Sequence, residues 1–95
     1  MARQQTVGRT ATTIKTENGI TQVTYHSTVV VEFNHEKITL NSGGWRTATT
    51  KTRMNQTSNQ FDLGFGVFQK DFDWRVYINR LDVSLPFYDG MIIIR

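Results

Sequence analysis

The sequence has no cysteine, a single proline, and no acidic residue between Glu36 and Asp62. Without cysteine there is neither a disulfide framework nor a thiolate metal site. With proline confined to Pro86, almost the whole chain keeps the backbone donors that strands and helices need. No apolar run approaches the roughly 20 residues of a membrane helix. Residues 1–13 carry two arginines but no apolar core of the kind that export requires. These absences predict a cytoplasmic protein in whatever cell makes it.

Catalytic signatures are also missing. His26 and His35 are the only histidines and have no acidic or thiol partner at a metal-ligand spacing. There is no Gly-x-Ser-x-Gly elbow. Asp62, Asp71, Asp73, Asp82 and Asp89 are present, but their spacing selects no carboxylate pair of the kind acid–base chemistry uses. The chain is therefore read as non-enzymatic, with no cofactor and no metal.

What is present is 95 residues with a net charge of +3, enough for one domain with a modest core. Self-association or tight aromatic packing is the expected route to further stability. The charge is scattered rather than gathered into the dense basic run of a duplex-DNA binder.

Along the chain, residues 1–10 are polar and unpatterned and are read as an N-terminal arm, with a single domain over residues 11–95. The β-branched residues around Ile14 and Val23 flank Asn18-Gly19, a strong signal for a hairpin because both turn residues tolerate positive φ. The β reading continues from Tyr25 to Phe33, where Val29, Val30 and Val31 form a run that suits burial on both faces. A polar turn at 34–36 and the alternation at 37–40 complete a second hairpin.

Residues 45–60 lose the alternation. Thr47 or Thr49 can cap a helix, and helical spacing aligns Thr50, Met54, Thr57 and Phe61. From Leu63 the alternation returns: Leu63, Phe65 and Val67 share one face, as do Trp74, Val76 and Ile78, with Arg75 and Tyr77 opposite. Residues 86–90 read as a loop and 91–94 as a last strand. The predicted class is α+β: a largely antiparallel sheet of about five to six strands, built from β-hairpins, with one helix near residues 47–60 packed on it. The terminal isoleucine strand is a sticky edge, which predicts a homo-oligomer.

The 40–60 segment carries the most pointed chemistry. Lys37, Arg46, Lys51 and Arg53 fall in the acid-free stretch, about a quarter of the chain, whereas an idle surface helix mixes Glu with Lys. A Ser-Gly-Gly turn leading into a helix presents amide donors that attract phosphate or carboxylate. It is not a Walker A loop, because that spacing is absent. The candidate ligand set is Gly43, Gly44, Trp45, Arg46, Thr49, Thr50, Lys51, Arg53 and Asn55, with Arg75 and Tyr77 as a second contributor. Arg and Lys would meet anionic oxygens, and Trp45 or Tyr77 would stack a base. The plain alternative is a solvated amphipathic helix capped by Thr, with Trp45 closing the core.

The run from Leu40-Asn41-Ser42-Gly43-Gly44-Trp45 through Arg53-Met54-Asn55-Gln56, with Gln69-Lys70-Asp71-Phe72-Asp73-Trp74 and Pro86-Phe87-Tyr88-Asp89-Gly90-Met91, resembles a small family of phage-encoded proteins over residues 25–91. The resemblance implies a short accessory gene expressed in an infected bacterium. In that setting it points to action by binding. The expected ligand is an anionic nucleotide, such as a signal of host defence that the protein would sequester. Single-stranded nucleic acid and a host protein are the alternative partners.

Overall fold

A computed structural model describes residues 11–95; the arm expected over residues 1–10 lies outside them. Strands β1 (Thr12–Glu17) and β2 (Ile20–Tyr25) form the first hairpin. Asn18 and Gly19 turn it with φ of 54° and 78°, the pair of positive values that a two-residue hairpin turn demands. Strands β3 (Thr28–Phe33) and β4 (Lys37–Leu40) form the second. Asn34 shapes its turn, its side-chain oxygen accepting from the amides of Glu36 and Lys37. Helix α1 (Ala48–Phe61) follows, then the third hairpin of β5 (Phe65–Lys70) and β6 (Asp73–Ile78), and finally β7 (Val83–Pro86) and β8 (Met91–Ile94).

The fold is α+β and antiparallel, as the sequence predicts, but its strands divide between two sheets. One has the order β1-β2-β3-β4-β8 and the other β5-β6-β7. After β7 the chain leaves the second sheet, and β8 pairs with β4 of the first, Leu40 opposite Met91. Between the sheets lies a core of Val23, Val31, Ile38, Leu40, Met54, Val67, Trp74, Val76 and Ile93. Met54 is fully buried and carries the helix's apolar contribution, with Thr50 and Thr57 beside it; Phe61 packs its ring 5.0 Å from Phe33.

Three local features depart from the sequence reading. The valine run is not buried on both faces of a regular strand. Register shifts at Val23/Thr24, so that Val23 faces Val31 while Thr24 faces Val29. The bulge at Val30 lets two consecutive valines point inward. The β reading from Tyr25 to Phe33 is interrupted by a turn at His26, whose φ is 56° and whose amide donates to Ala11; no glycine or proline marks that turn. Strand β7 also has little sequence signal. It is short and lies at a sheet edge, and Pro86 closes it where a missing donor costs no ladder bond.

Candidate functional site

Helix α1 begins at Thr47, whose hydroxyl accepts from the Thr50 amide at 3.2 Å and so caps a donor that has no partner within the helix. Most of its polar side chains face protein. Strand β5 is an edge of the three-stranded sheet, with the backbone groups of Phe65 and Val67 directed away from β6. Asn55 receives the Val67 amide at 2.7 Å and donates to the Val67 carbonyl at 2.9 Å. Ser58 does the same for Phe65, at 3.0 and 2.7 Å. Two helix side chains thus imitate a neighbouring strand and close the edge.

The opposite flank of the helix ties to the other sheet. Arg53 donates to Thr12 Oγ1 at 2.9 Å and to Gln56 Oε1 at 3.1 Å. Its guanidinium carbon lies 5.7 Å from the Tyr25 ring centre, within range of a cation–π contact. Arg53 and Asn55, both in the candidate ligand set, therefore have partners within the fold. Every buried side-chain nitrogen and oxygen among the described residues has a hydrogen-bond partner.

The Ser42–Gly44 turn does bind an anion, and the anion is the protein's own. Asp89, 47 residues away, accepts from the Ser42 amide at 2.8 Å and the Ser42 hydroxyl at 2.7 Å. Partial burial pushes the Asp89 carboxyl up. The Ser42 amide and hydroxyl, the Arg46 guanidinium and the Gly44 amide outweigh it and hold the carboxyl below its usual range. The Gly43 amide donates to Asn41 Oδ1, the Gly44 amide to Ser42 Oγ, and the Trp45 amide to the Ser42 carbonyl. The turn's donors are thus engaged before any ligand arrives. Gly43 is required for two reasons: its φ is +64°, and a Cβ there would stand 2.4 Å from the Thr28 hydroxyl.

That close approach of Gly43 to Thr28 builds the wall of a groove of about 340 Å³. Tyr25, His26, Ser27 and Thr28 line one side; Ser42, Trp45 and Thr50 line the other, with Val30 among the lining residues. Trp45 is 71% exposed, so it does not close the core; its ring is a wall of this open groove. Two aromatic rings and several hydroxyls suit a planar group with polar edges. Among the described residues the groove's lining has no Lys or Arg.

The cations follow Trp45 and Thr50 in sequence and lie over rings outside the groove's lining. The Arg46 guanidinium lies 5.1 Å from the Phe87 ring centre and the Lys51 ammonium 5.8 Å from that of Trp74. Those two rings meet edge to face at 5.3 Å. Neither Arg46 nor Lys51 forms an ion pair within 4 Å among the described residues. Thr49 is exposed in the first helical turn.

Arg75 and Tyr77 are elsewhere, on the outer face of the second sheet. Arg75 donates to Ser84, and the Tyr77 hydroxyl to Asp82, a bond that raises the phenol above its ordinary value along with slight desolvation and the Asp82 charge. The structure thus places Trp45 and Thr50 in one groove, sets Arg46 and Lys51 over the Phe87–Trp74 ring pair, and leaves Arg75 and Tyr77 on the outer face of the second sheet. Tyr25, His26, Thr28 and Asp89 also belong to this site and carry no signal for it in the sequence. Only the turn at His26 and the pairing of Asp89 with Ser42 bring them to this site, and neither has a local signature.

The model of the Kyanoviridae Gp96 protein family matches residues 2–94, and the chain belongs to that phage family. No curated protein and no solved structure matches it. No helix among the described residues is long and apolar enough to cross a membrane.

Proposed function

We propose that this member of the Kyanoviridae Gp96 family is a non-enzymatic binding protein for a nucleotide-type ligand. Its base lies in the groove between Tyr25 and Trp45, and its phosphates are directed toward Arg46 and Lys51. The observation that carries the reading is Trp45: a tryptophan 71% exposed on the wall of a groove of about 340 Å³. Its ring supports no core, and stacking a base on an aromatic is worth about 1–3 kcal/mol. The hydroxyls of Ser27, Thr28 and Thr50 line the groove and supply donors and acceptors for the edges of a base or sugar.

Arg46 and Lys51, without ion pairs among the described residues and next in sequence to the groove's Trp45 and Thr50, suit a ligand that is aromatic at one end and anionic at the other. In the host cytoplasm, such a protein would sequester a nucleotide signal of host defence and leave it chemically unchanged. Isothermal calorimetry against cyclic mononucleotides, cyclic dinucleotides and ADP-ribose derivatives tests this. Saturable binding by one class, with the ligand recovered intact after denaturation, is expected. Flat titrations across the panel at low salt would sink the reading. Affinity that climbs with oligonucleotide length would replace it with single-stranded nucleic-acid binding. Turnover of the ligand would replace it with an enzyme.

A further inference from the structure

The most exposed aromatic among the described residues is Phe72, 93% accessible at the tip of the β5–β6 hairpin. It occupies a two-residue turn in which Asp71 has φ 52° and Phe72 φ 70°. Glycine or asparagine ordinarily fills such positions. A phenylalanine there costs about 1 kcal/mol in backbone conformation, and its ring is left almost wholly exposed by the described residues. Both local terms oppose it, so the reason for the ring lies outside the monomer.

Phe72 is linked to the Trp45 loop through one pair of rings. Trp74, two residues beyond the tip, is the ring under Lys51; its neighbour Phe87 is the ring under Arg46. Trp45 precedes Arg46, and Tyr88 follows Phe87. The three most exposed aromatics, Phe72, Trp45 and Tyr88, therefore flank one buried pair. Charge distinguishes Phe72 from Trp45. Asp71 and Asp73 bracket Phe72, while Arg46 and Lys51 follow Trp45, and none of the four has an ion pair within 4 Å among the described residues.

We propose that these residues form the interface of a homodimer. Phe72 of each copy packs against the partner's Trp45 at the mouth of the groove, and Asp71 and Asp73 face the partner's Arg46 and Lys51. A two-fold interface needs one surface that carries both halves of the contact, and this chain offers an acidic aromatic knob at Phe72 and, at Trp45, an exposed aromatic followed by Arg46 and Lys51. A polyanion such as nucleic acid is opposed by the two aspartates at the knob. The assembly needs no nucleotide, but it covers Trp45, Arg46 and Lys51, so dimer and nucleotide compete for one surface and a nucleotide that binds there should shift the equilibrium toward monomer.

Sedimentation equilibrium of the full chain, over a range of concentrations and at low and high salt, tests it. A dimer that weakens as salt rises is expected. Phe72→Ala removes an exposed ring without touching the core and should raise the dimer dissociation constant by about tenfold or more. The double variants Asp71→Lys/Asp73→Lys and Arg46→Glu/Lys51→Glu should each be monomeric alone. Mixed in equal amounts they should recover the dimer, because each contact then pairs opposite charges. Wild-type monomer at every concentration, a dimer indifferent to Phe72→Ala, or no recovery on mixing would each overturn the proposal. So would a monomer that uses Phe72 to hold a host protein. The partner's knob and a nucleotide claim the same Trp45, Arg46 and Lys51, so the ligand is titrated against Phe72→Ala held as a monomer. Flat titrations there sink the ligand reading alone, and a wild-type monomer that binds nucleotide sinks this one alone.

Discussion

The two halves of the acid-free segment share the lack of acid and have opposite uses. In the helix, Asn55 and Ser58 turn toward β5 and Arg53 toward Thr12 and Gln56. In the loop before it, Trp45 faces outward from a turn already filled by Asp89. The comparison explains why acid is missing from each. A strand edge offers both amides and carbonyls, so the group sealing it must accept and donate at once. An amide or a hydroxyl does both, and an ionised carboxylate only accepts. In the loop the turn's amides already hold one carboxylate, and a second would meet repulsion. An absence that suggested an external anion site thus has an internal cause in both places.

The strongest way to break the comparison is to put acid into the helix half. Asn55→Asp keeps the shape and the acceptor for the Val67 amide but sets a carboxylate oxygen against the Val67 carbonyl. It should lose about 2–3 kcal/mol, the cost of an unpaired, repelled group in a part-buried contact. Ser58→Ala should lose about 1–3 kcal/mol for stranding both groups of Phe65. Urea denaturation midpoints at constant slope measure both. A loss under about 0.5 kcal/mol, the usual range of an idle surface position, would make the helix's amides surface groups after all.

A smaller effect of opposite sign belongs to the exposed hairpin tip. Phe72→Gly gives the β5–β6 turn a residue at home at φ 70° and should raise monomer stability by about 1 kcal/mol. The same melt that shows Asn55→Asp as a loss should show Phe72→Gly as a gain. An exposed residue whose removal stabilises the fold is one retained for something other than folding.

Smaller again is the contribution of Asp89, which joins the two uses. Its lowered pKa means that its carboxylate adds stability at neutral pH. That contribution is complete above the ordinary carboxyl value of 3.8 and fades as pH falls through the lowered one. Asp89→Asn should therefore cost under about 1 kcal/mol at pH 7 after solvent screening. It should also lose less stability than wild type as pH falls below 3.8. Parallel acid limbs for the two proteins would mean that Asp89 does not hold the turn.

Much of the frame was legible in the sequence because it depends on local rules. Asn18-Gly19 fixed a hairpin, alternation sorted Trp74, Val76 and Ile78 from Arg75 and Tyr77, and the helix spans Ala48–Phe61 against an expected 47–60. The division into two sheets was not legible, because it turns on β8 passing over β7 to reach β4, a choice made by tertiary packing. The site was less legible than the frame. The attraction of the Ser42–Gly44 turn for an anion could be read from its residues; that Asp89 supplies the anion could not, since the pair is 47 residues apart. Cationic residues likewise looked free because sequence does not show what lies beside them: Arg53 meets Thr12 and Gln56, while Arg46 and Lys51 lie over rings.

The least destabilising change is the most informative about function. Trp45 is 71% exposed, its backbone amide bonds the Ser42 carbonyl whatever its side chain, and its ring lines only the groove. Trp45→Ala should therefore move stability by no more than about 0.5 kcal/mol while weakening a stacked base by about 1–3 kcal/mol, five- to more than a hundredfold in affinity. A thermal melt and a nucleotide titration on the same sample separate the two quantities. Asn55→Asp should give the reverse pattern at a temperature where it stays folded: a large change in the melt and little in the titration. If both variants lose stability and binding together, the segment is one cooperative unit, and the division between a structural helix and a ligand-facing loop is gone. If Trp45→Ala leaves both unchanged, the groove is not where the ligand binds.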